Sequence, residues 1–167
     1  PGPDGAVGNA ARERLMADKL LKVQPIRNGT VIDHLRAGTG LKILDILDVA
    51  DTGNTVSLLI NVPSSKQGRK DIIKIEDREL TESETERIAL LSPGAHVNII
   101  RNYSVAEKTA VEIPEEVAGV ARCPNTNCIS NNERGATSRL LLRSREPLQL
   151  ACAYCARLVA EEELQFL

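Results

Sequence analysis

Four cysteines constrain this chain more than any other feature, and all lie in its last third. The spacing is Cys123-x4-Cys128, then residues 129–151, then Cys152-x2-Cys155. Two close pairs separated by a loop let four thiolates converge on one tetrahedral cation, and thiolate sulfur at ~2.3 Å is what Zn²⁺ prefers. Pro124 and residues 125–127 suit a turn whose backbone N–H groups face the sulfurs. Four sulfurs fill the shell and leave no position for a catalytic water, so one structural zinc per chain is expected. Two disulfides, four free buried thiols or iron are the alternatives. Zinc is favoured over disulfides because no export signal is visible, and over iron because no redox partner is evident. Segment 114–167 is too small to hold a core by apolar burial alone, so metal binding should supply much of its folding free energy.

The rest of the composition is that of a soluble globular protein: 42% apolar, 26% charged, net charge −2, pI near 5.8. An acidic balance argues against nonspecific binding to nucleic acid or an anionic membrane. Phe166, Tyr103 and Tyr154 are the only aromatic residues, too few for a surface that stacks bases. No apolar run reaches the roughly 18–20 residues that span a bilayer. Residues 1–18 are rich in Gly, Ala and Pro and lack the apolar core of a signal peptide, so a disordered extension is expected there, with Met16 a candidate start. The expected compartment is the cytoplasm.

Residues 20–26 predict a strand that Pro25 limits to an edge or an end. Asn28-Gly29 marks a turn, and residues 30–34 an extended stretch. Residues 39–48 predict a helix with Leu41, Leu44 and Leu47 on one side and Thr39 available as a cap. Residues 55–62 alternate, placing Val56, Leu58, Ile60 and Val62 on one face of a half-buried strand. A polar loop at 63–70 leads into a strand at 71–76, with Ile73 and Ile75 on one face and Lys74 on the other. Thr81 and Glu84 form a capping box for a helix whose stripe is Ile88 and Leu91, stopped by Pro93-Gly94. Residues 96–100 and 103–107 read as strands joined at Arg101-Asn102. The order β-α-β-β-α-β-β predicts an α+β fold: a ferredoxin-like antiparallel sheet with two helices on one face. An acidic stretch at 108–119 containing Pro114 reads as a hinge. Beyond it lies a small all-β zinc-binding domain with strands near 138–143 and 148–152. The domains expected are thus 1–18, 19–113 and 114–167.

No catalytic motif is present, and the chain is not expected to be an enzyme. Gly38-x-Gly40 lacks the third glycine of a dinucleotide fingerprint, and Gly68-Arg69-Lys70-Asp71 lacks the Ser/Thr of a phosphate loop. His34, His96, Lys70, Lys74 and Lys108 each read singly as ordinary structural or surface residues. Strand ends of a ferredoxin-like sheet can gather such groups, however. A carboxylate there could bind a ribose hydroxyl, with His34 and the lysines binding phosphates.

Three separated motifs carry a resemblance. Asn28-Gly29-Thr30-Val31-Ile32-Asp33-His34, then Gly68-Arg69-Lys70-Asp71 with Ile73-Lys74-Ile75-Glu76, then Cys123-Pro124-Asn125-Thr126-Asn127-Cys128-Ile129 resemble the regulatory chain of aspartate carbamoyltransferase. The likeness runs in register from about Leu20 to the C-terminus. It implies a non-catalytic subunit of pyrimidine biosynthesis that pairs with itself through its N-terminal domain. Its zinc domain would dock on the catalytic chain, in an assembly of six catalytic and six regulatory chains. It further implies that CTP inhibits, helped by UTP in some members, and that ATP activates. The same resemblance places the base around Ile26, Ile100 and Tyr103, and ribose at Asp33 and Lys74. It places the phosphates at His34, Lys108 and Lys70, with Asn98 and Val105 lining the site and Val23 and Val31 as apolar walls. Asn125, Asn127 and Arg157 resemble contacts to the catalytic chain. Gln24 and Leu20 stand where well-studied members have an acidic residue and a lysine, and Ala153 and Ala156 replace charged residues.

The competing class is a zinc-ribbon nucleic-acid-binding protein. Arg122, Arg134, Arg139, Arg143, Arg145 and Arg157 could contact phosphates, or could form a solvated or protein-docking face.

Overall fold

The structure is a computed structural model describing residues 24–167. The expected extension at 1–18, the start of the strand expected at 20–26, and Val23 lie outside the described residues.

The first half follows the expected order β-α-β-β-α-β-β, its first strand being the stretch expected at 30–34. It comprises β1 (Gly29–Arg36), α1 (Gly40–Ile46), β2 (Val56–Ser64), β3 (Gly68–Glu76), α2 (Glu82–Leu91), β4 (His96–Arg101) and β5 (Ser104–Ala110). The strands form one antiparallel sheet in the order β2-β3-β1-β4-β5. This is the ferredoxin-like arrangement with β5 added at one edge. The helices cover the face carrying Ile32, Ile73 and Val97, where the core lies. Among the described residues no helix covers the opposite face. Gln24-Pro25-Ile26 is not strand, and the stretch expected at 30–34 is a full central strand.

α2 forms as its sequence predicts. Thr81 Oγ1 accepts the backbone N–H of Glu84, and Glu84 Oε2 accepts that of Thr81. α1 departs from expectation. Its buried positions are Gly40 and Ile43, with Leu47 buried one turn after Ile43, while Leu41 is exposed. Thr39 sits at the cap position but makes no capping bond; its hydroxyl donates to the Arg36 carbonyl at 2.6 Å. The cap comes instead from Asp71 on β3, fully buried, whose Oδ2 accepts the N–H groups of Gly38 at 3.0 Å and Gly40 at 2.9 Å. A carboxylate at the start of a helix is favourable both as acceptor and as charge. Gly40 is required for this approach: a Cβ there would lie 2.7 Å from Leu58 Cδ1 and 3.0 Å from Asp71 Oδ2.

Asp71 also reshapes β2. Its Oδ1 accepts the N–H of Asn61 at 3.0 Å, and Asn61 has φ 58. The register to β3 shifts between Leu59 and Val62. Val56 and Leu58 pack against the core as expected, but Ile60 is exposed, because the bulge ends the alternation. The loop expected at 63–70 is mostly strand, since β2 and β3 pair out to Ser64 and Gly68. The β4–β5 turn falls at Asn102-Tyr103, one residue later than expected. Both have positive φ, as a two-residue hairpin turn demands.

The second half contains β6 (Glu116–Ala118), β7 (Ala121–Arg122), α3 (Ile129–Asn132), β8 (Arg139–Arg145), β9 (Leu148–Cys152), β10 (Leu158–Ala160), a 3-10 turn (Glu161–Glu163) and β11 (Gln165–Phe166). β10-β9-β8-β6 form a four-stranded sheet, and β11 pairs with β7. α3 is a single turn in an otherwise β region. The connection read as a hinge carries two packed side chains. Val111 and Ile113 are buried, Val111 N–H donates to the Ala95 carbonyl at 2.8 Å, and Arg145 Nη1 donates to the Ile113 carbonyl at 2.7 Å. Arg36 on β1 pairs with Glu161 across the two halves.

Candidate functional site

The four cysteines come from four places in the second half. Cys123 follows β7, Cys128 caps α3, Cys152 ends β9, and Cys155 lies in the tight turn before β10. All four Sγ atoms lie within 4.8 Å of one another. Cys123 and Cys155 are 3.7 Å apart, and Cys128 and Cys152 3.6 Å. Four sulfurs at ~2.3 Å from a tetrahedral centre would stand ~3.8 Å apart, whereas a disulfide needs ~2.05 Å. The spacing therefore fits one four-coordinate metal and no disulfide.

The chain around the sulfurs is built to hold them. Ser130 Oγ donates to Cys128 Sγ at 3.2 Å, and the Asn131 side-chain amide donates to the carbonyls of Cys123 and Asn125. Cys152 and residues 156–157 close the second knuckle: Ala156 N–H donates to the Cys152 carbonyl, and Cys152 N–H to the Arg157 carbonyl. Burial pushes the Cys123 thiol up to about 12, against the opposing backbone N–H of Asn125. The Arg157 backbone N–H and the Asn125 side chain draw Cys155 down to about 6. Of the turn N–H groups expected to face sulfur, that of Asn125 does. Asn127 N–H instead bonds Asn125 Oδ1, and Cys128 N–H the Asn125 carbonyl. Ser130 and Asn131 were not singled out by sequence, because nothing in the cysteine spacing marks them.

The open face of the first sheet gathers most of the other candidates. Lys74 pairs with Val31, Val31 with Asn98, and Asn98 with Lys108, so these four form one row across β3, β1, β4 and β5. Gly29, Ile100 and Val105 form the next row. On the other side, Asp33 pairs with His96. The strand bulges at Asp33–His34, where His34 has φ 56, and the register to β3 shifts between Ile32 and Leu35. The bulge brings Asp33 Oδ1 to 2.8 Å from Lys70 Nζ and 2.6 Å from the His34 backbone N–H. Burial would raise the Asp33 carboxyl, but the Lys70 ammonium and the His34 N–H outweigh it and hold the group below its ordinary range. Lys74 Nζ reaches the Gln24 carbonyl at 3.4 Å. Ile26 is buried beside the start of β1, while Tyr103 is exposed at the β4–β5 turn.

His96 was read from sequence as a structural histidine, yet it stands on this open face, its ring edge-on to His34 with centroids 4.9 Å apart. The signal was available: His96, Asn98 and Ile100 alternate along β4. Of the expected docking residues, Asn127 and Arg157 are exposed beside the cysteine knuckles and Asn125 is half-buried. Arg157 Nη2 is 2.8 Å from Glu163 Oε1.

Fold and site thus define a two-part chain: a sheet whose open face offers fixed cations, and a small β unit organised around four thiols. Residues 21–112 match the family model for the aspartate carbamoyltransferase regulatory chain, allosteric domain, and residues 115–165 match that for its metal binding domain. The chain is 48% identical to the aspartate carbamoyltransferase regulatory chain of Methanothrix thermoacetophila over 91% of its own length and 99% of that protein. It is 51% identical to that of Pyrococcus abyssi, over 86% of this chain and 95% of that one. The regulatory chain of Methanopyrus kandleri is also 51% identical, over 87% and 94%. The chain belongs to the family of aspartate carbamoyltransferase regulatory chains, and so is a regulatory, non-catalytic subunit with an allosteric and a metal-binding part. Among the described residues no helix is long and apolar enough to cross a membrane.

Proposed function

We propose that this chain binds nucleoside triphosphates on the open sheet face and passes their effect to a catalytic chain through the metal-binding half. CTP is the inhibitor and ATP the activator of pyrimidine biosynthesis. The observation that carries this is the row of Lys74, Val31, Asn98 and Lys108 beside the Asp33–Lys70 pair. It sets fixed positive charge, an amide and apolar surface on one solvent-facing platform, which a phosphate chain, a ribose and a base require together. In this assignment Lys70, His34 and Lys108 hold phosphates, and Asp33 with Lys74 the ribose. Ile26, Ile100, Tyr103, Val105 and Val31 surround the base.

The metal is one zinc. When bound, it supplies a closed structural crosslink and no reactive position. Cys123, Cys128, Cys152 and Cys155 hold it, and Asn125, Asn127 and Arg157 on the knuckles face the catalytic chain. The regulatory chains pair through their sheet halves. The functional domains are 19–113 and 114–167.

Titration calorimetry on the metal-loaded chain tests the reading: CTP and ATP should each bind near one per chain, and cytidine far more weakly. Equal affinity for CTP and cytidine would sink it. A nucleic-acid-binding role is less well supported. Arg139, Arg145 and Arg157 are each paired with a glutamate, Glu116, Glu115 and Glu163 respectively, which neutralises half of the arginine cluster.

A further inference from the structure

Two of the four buried side-chain polar atoms that lack a partner among the described residues are the Nδ1 atoms of His34 and His96. Their rings touch, and they sit where the β1 bulge meets β4. Unpartnered buried nitrogens are disfavoured unless the site is completed by something else. The groups facing His96 are His34 and Asp33 from β1, Lys108 from β5 and Lys66 from the β2–β3 turn, with Lys70 from β3 behind Asp33. That is an excess of cations around one carboxylate, itself already paired. An anion is the ligand such a cluster lacks.

We propose that His96, packed against His34, is a further phosphate-binding residue and takes up a proton when a phosphate chain binds. The inference rests on the nucleotide site argued above and adds a residue and a pH dependence to it. Burial, then the positive charge of His34, Lys108 and Lys66, lowers the pKa of His96 in the free chain. A bound phosphate chain supplies the missing negative charge and raises it again. Between the free and bound values, binding draws one proton from solution. Protonated His96 favours the bound state, so affinity rises as pH falls through the bound-state value and levels off below the free-state value. The limit is one decade of affinity per pH unit per proton.

The experiment is titration calorimetry of the full metal-loaded chain with tripolyphosphate and with CTP, from pH 6 to 8.5, in two buffers of different protonation enthalpy. The wild-type chain should bind both about tenfold more tightly at pH 6 than at pH 8, with net proton uptake. In His96→Gln the uptake should fall and the slope between pH 6 and 8.5 should flatten. The terminal phosphate's own titration, near pH ~6, is common to both proteins and cancels in their difference. Identical uptake and slope in wild type and His96→Gln would overturn the inference, as would the absence of any uptake by the wild-type protein. CTP binding no more tightly than tripolyphosphate would end the nucleotide reading while the tripolyphosphate arm still decides His96. No binding of either ligand would end both.

Discussion

In the sheet half most of the deepest side chains are aliphatic: Ile32, Leu35, Ile43, Ile73, Ile75 and Ile88 have no exposed surface, beside the equally buried Thr30 and Asp71. In the cysteine half Leu140, Leu150 and Val159 are equally buried, but Cys123, Cys128 and Cys152 stand among them. The first half is closed by packing, since helix stripes and strand faces meet on one side of a five-stranded sheet. The second has short strands, one helical turn and a centre of sulfur. Four thiolates within 4.8 Å of one another repel, and a shared cation relieves that repulsion. The same chain thus uses apolar burial where it needs a broad open platform and metal ligation where it has too few residues to enclose a core.

Removing the metal should separate the two halves most strongly. Chelation, or Cys128→Ser, should unfold residues 114–167 and leave the sheet half folded; structural zinc is worth about 10–16 kcal/mol in small zinc domains. Hydrogen exchange read by mass spectrometry would show protection lost from β6 onward only. Retained protection in the second half of a metal-free chain would break the contrast.

Asp71→Ala is the matching probe of the sheet half. It leaves the N–H groups of Gly38, Gly40 and Asn61 without their acceptor, so a loss of about 3 kcal/mol is expected in denaturant unfolding of that half. Metal content should be unchanged.

Lys108→Ala should weaken CTP and ATP binding by about tenfold to a hundredfold, the value of a charge-assisted hydrogen bond, and leave cytidine unaffected. Calorimetry on the metal-loaded chain separates the cases. Equal losses for CTP and cytidine would remove Lys108 from the phosphates.

The smallest effect concerns the contact between halves. Arg36 and Glu161 are both partly exposed, and such pairs contribute about 0–1 kcal/mol. Arg36→Gln should change global stability by less than about 1 kcal/mol. A larger loss would show the halves to be more tightly joined than their surface contacts imply.

What could be read from the chain differs between the halves in the same way. The cysteine spacing, the Thr81–Glu84 box and the apolar alternation of β3 and β4 are local patterns, and each appears in the fold. Asp71 was not legible as a cap because its partners lie 10 to 33 positions away. The bulge it stabilises in β2 hid the exposure of Ile60 for the same reason. Strand-end placement suggested that His34 and the lysines gather, but Asn98 and Val105 were visible only through resemblance, because they join Lys74 and Lys108 through strand register. The connection at 108–119 was read as a hinge, and the burial of Val111 and Ile113 within it was not legible because acidic residues flank them.

The central claim is that nucleotides bound on the sheet half govern a catalytic chain through the cysteine half. Aspartate saturation curves of the catalytic chain assembled with this chain test it most directly. CTP should move the midpoint to higher aspartate and ATP to lower, and neither should act on the catalytic chain alone. Superimposable curves with and without nucleotide, from an assembly shown to contain both chains, would contradict the account.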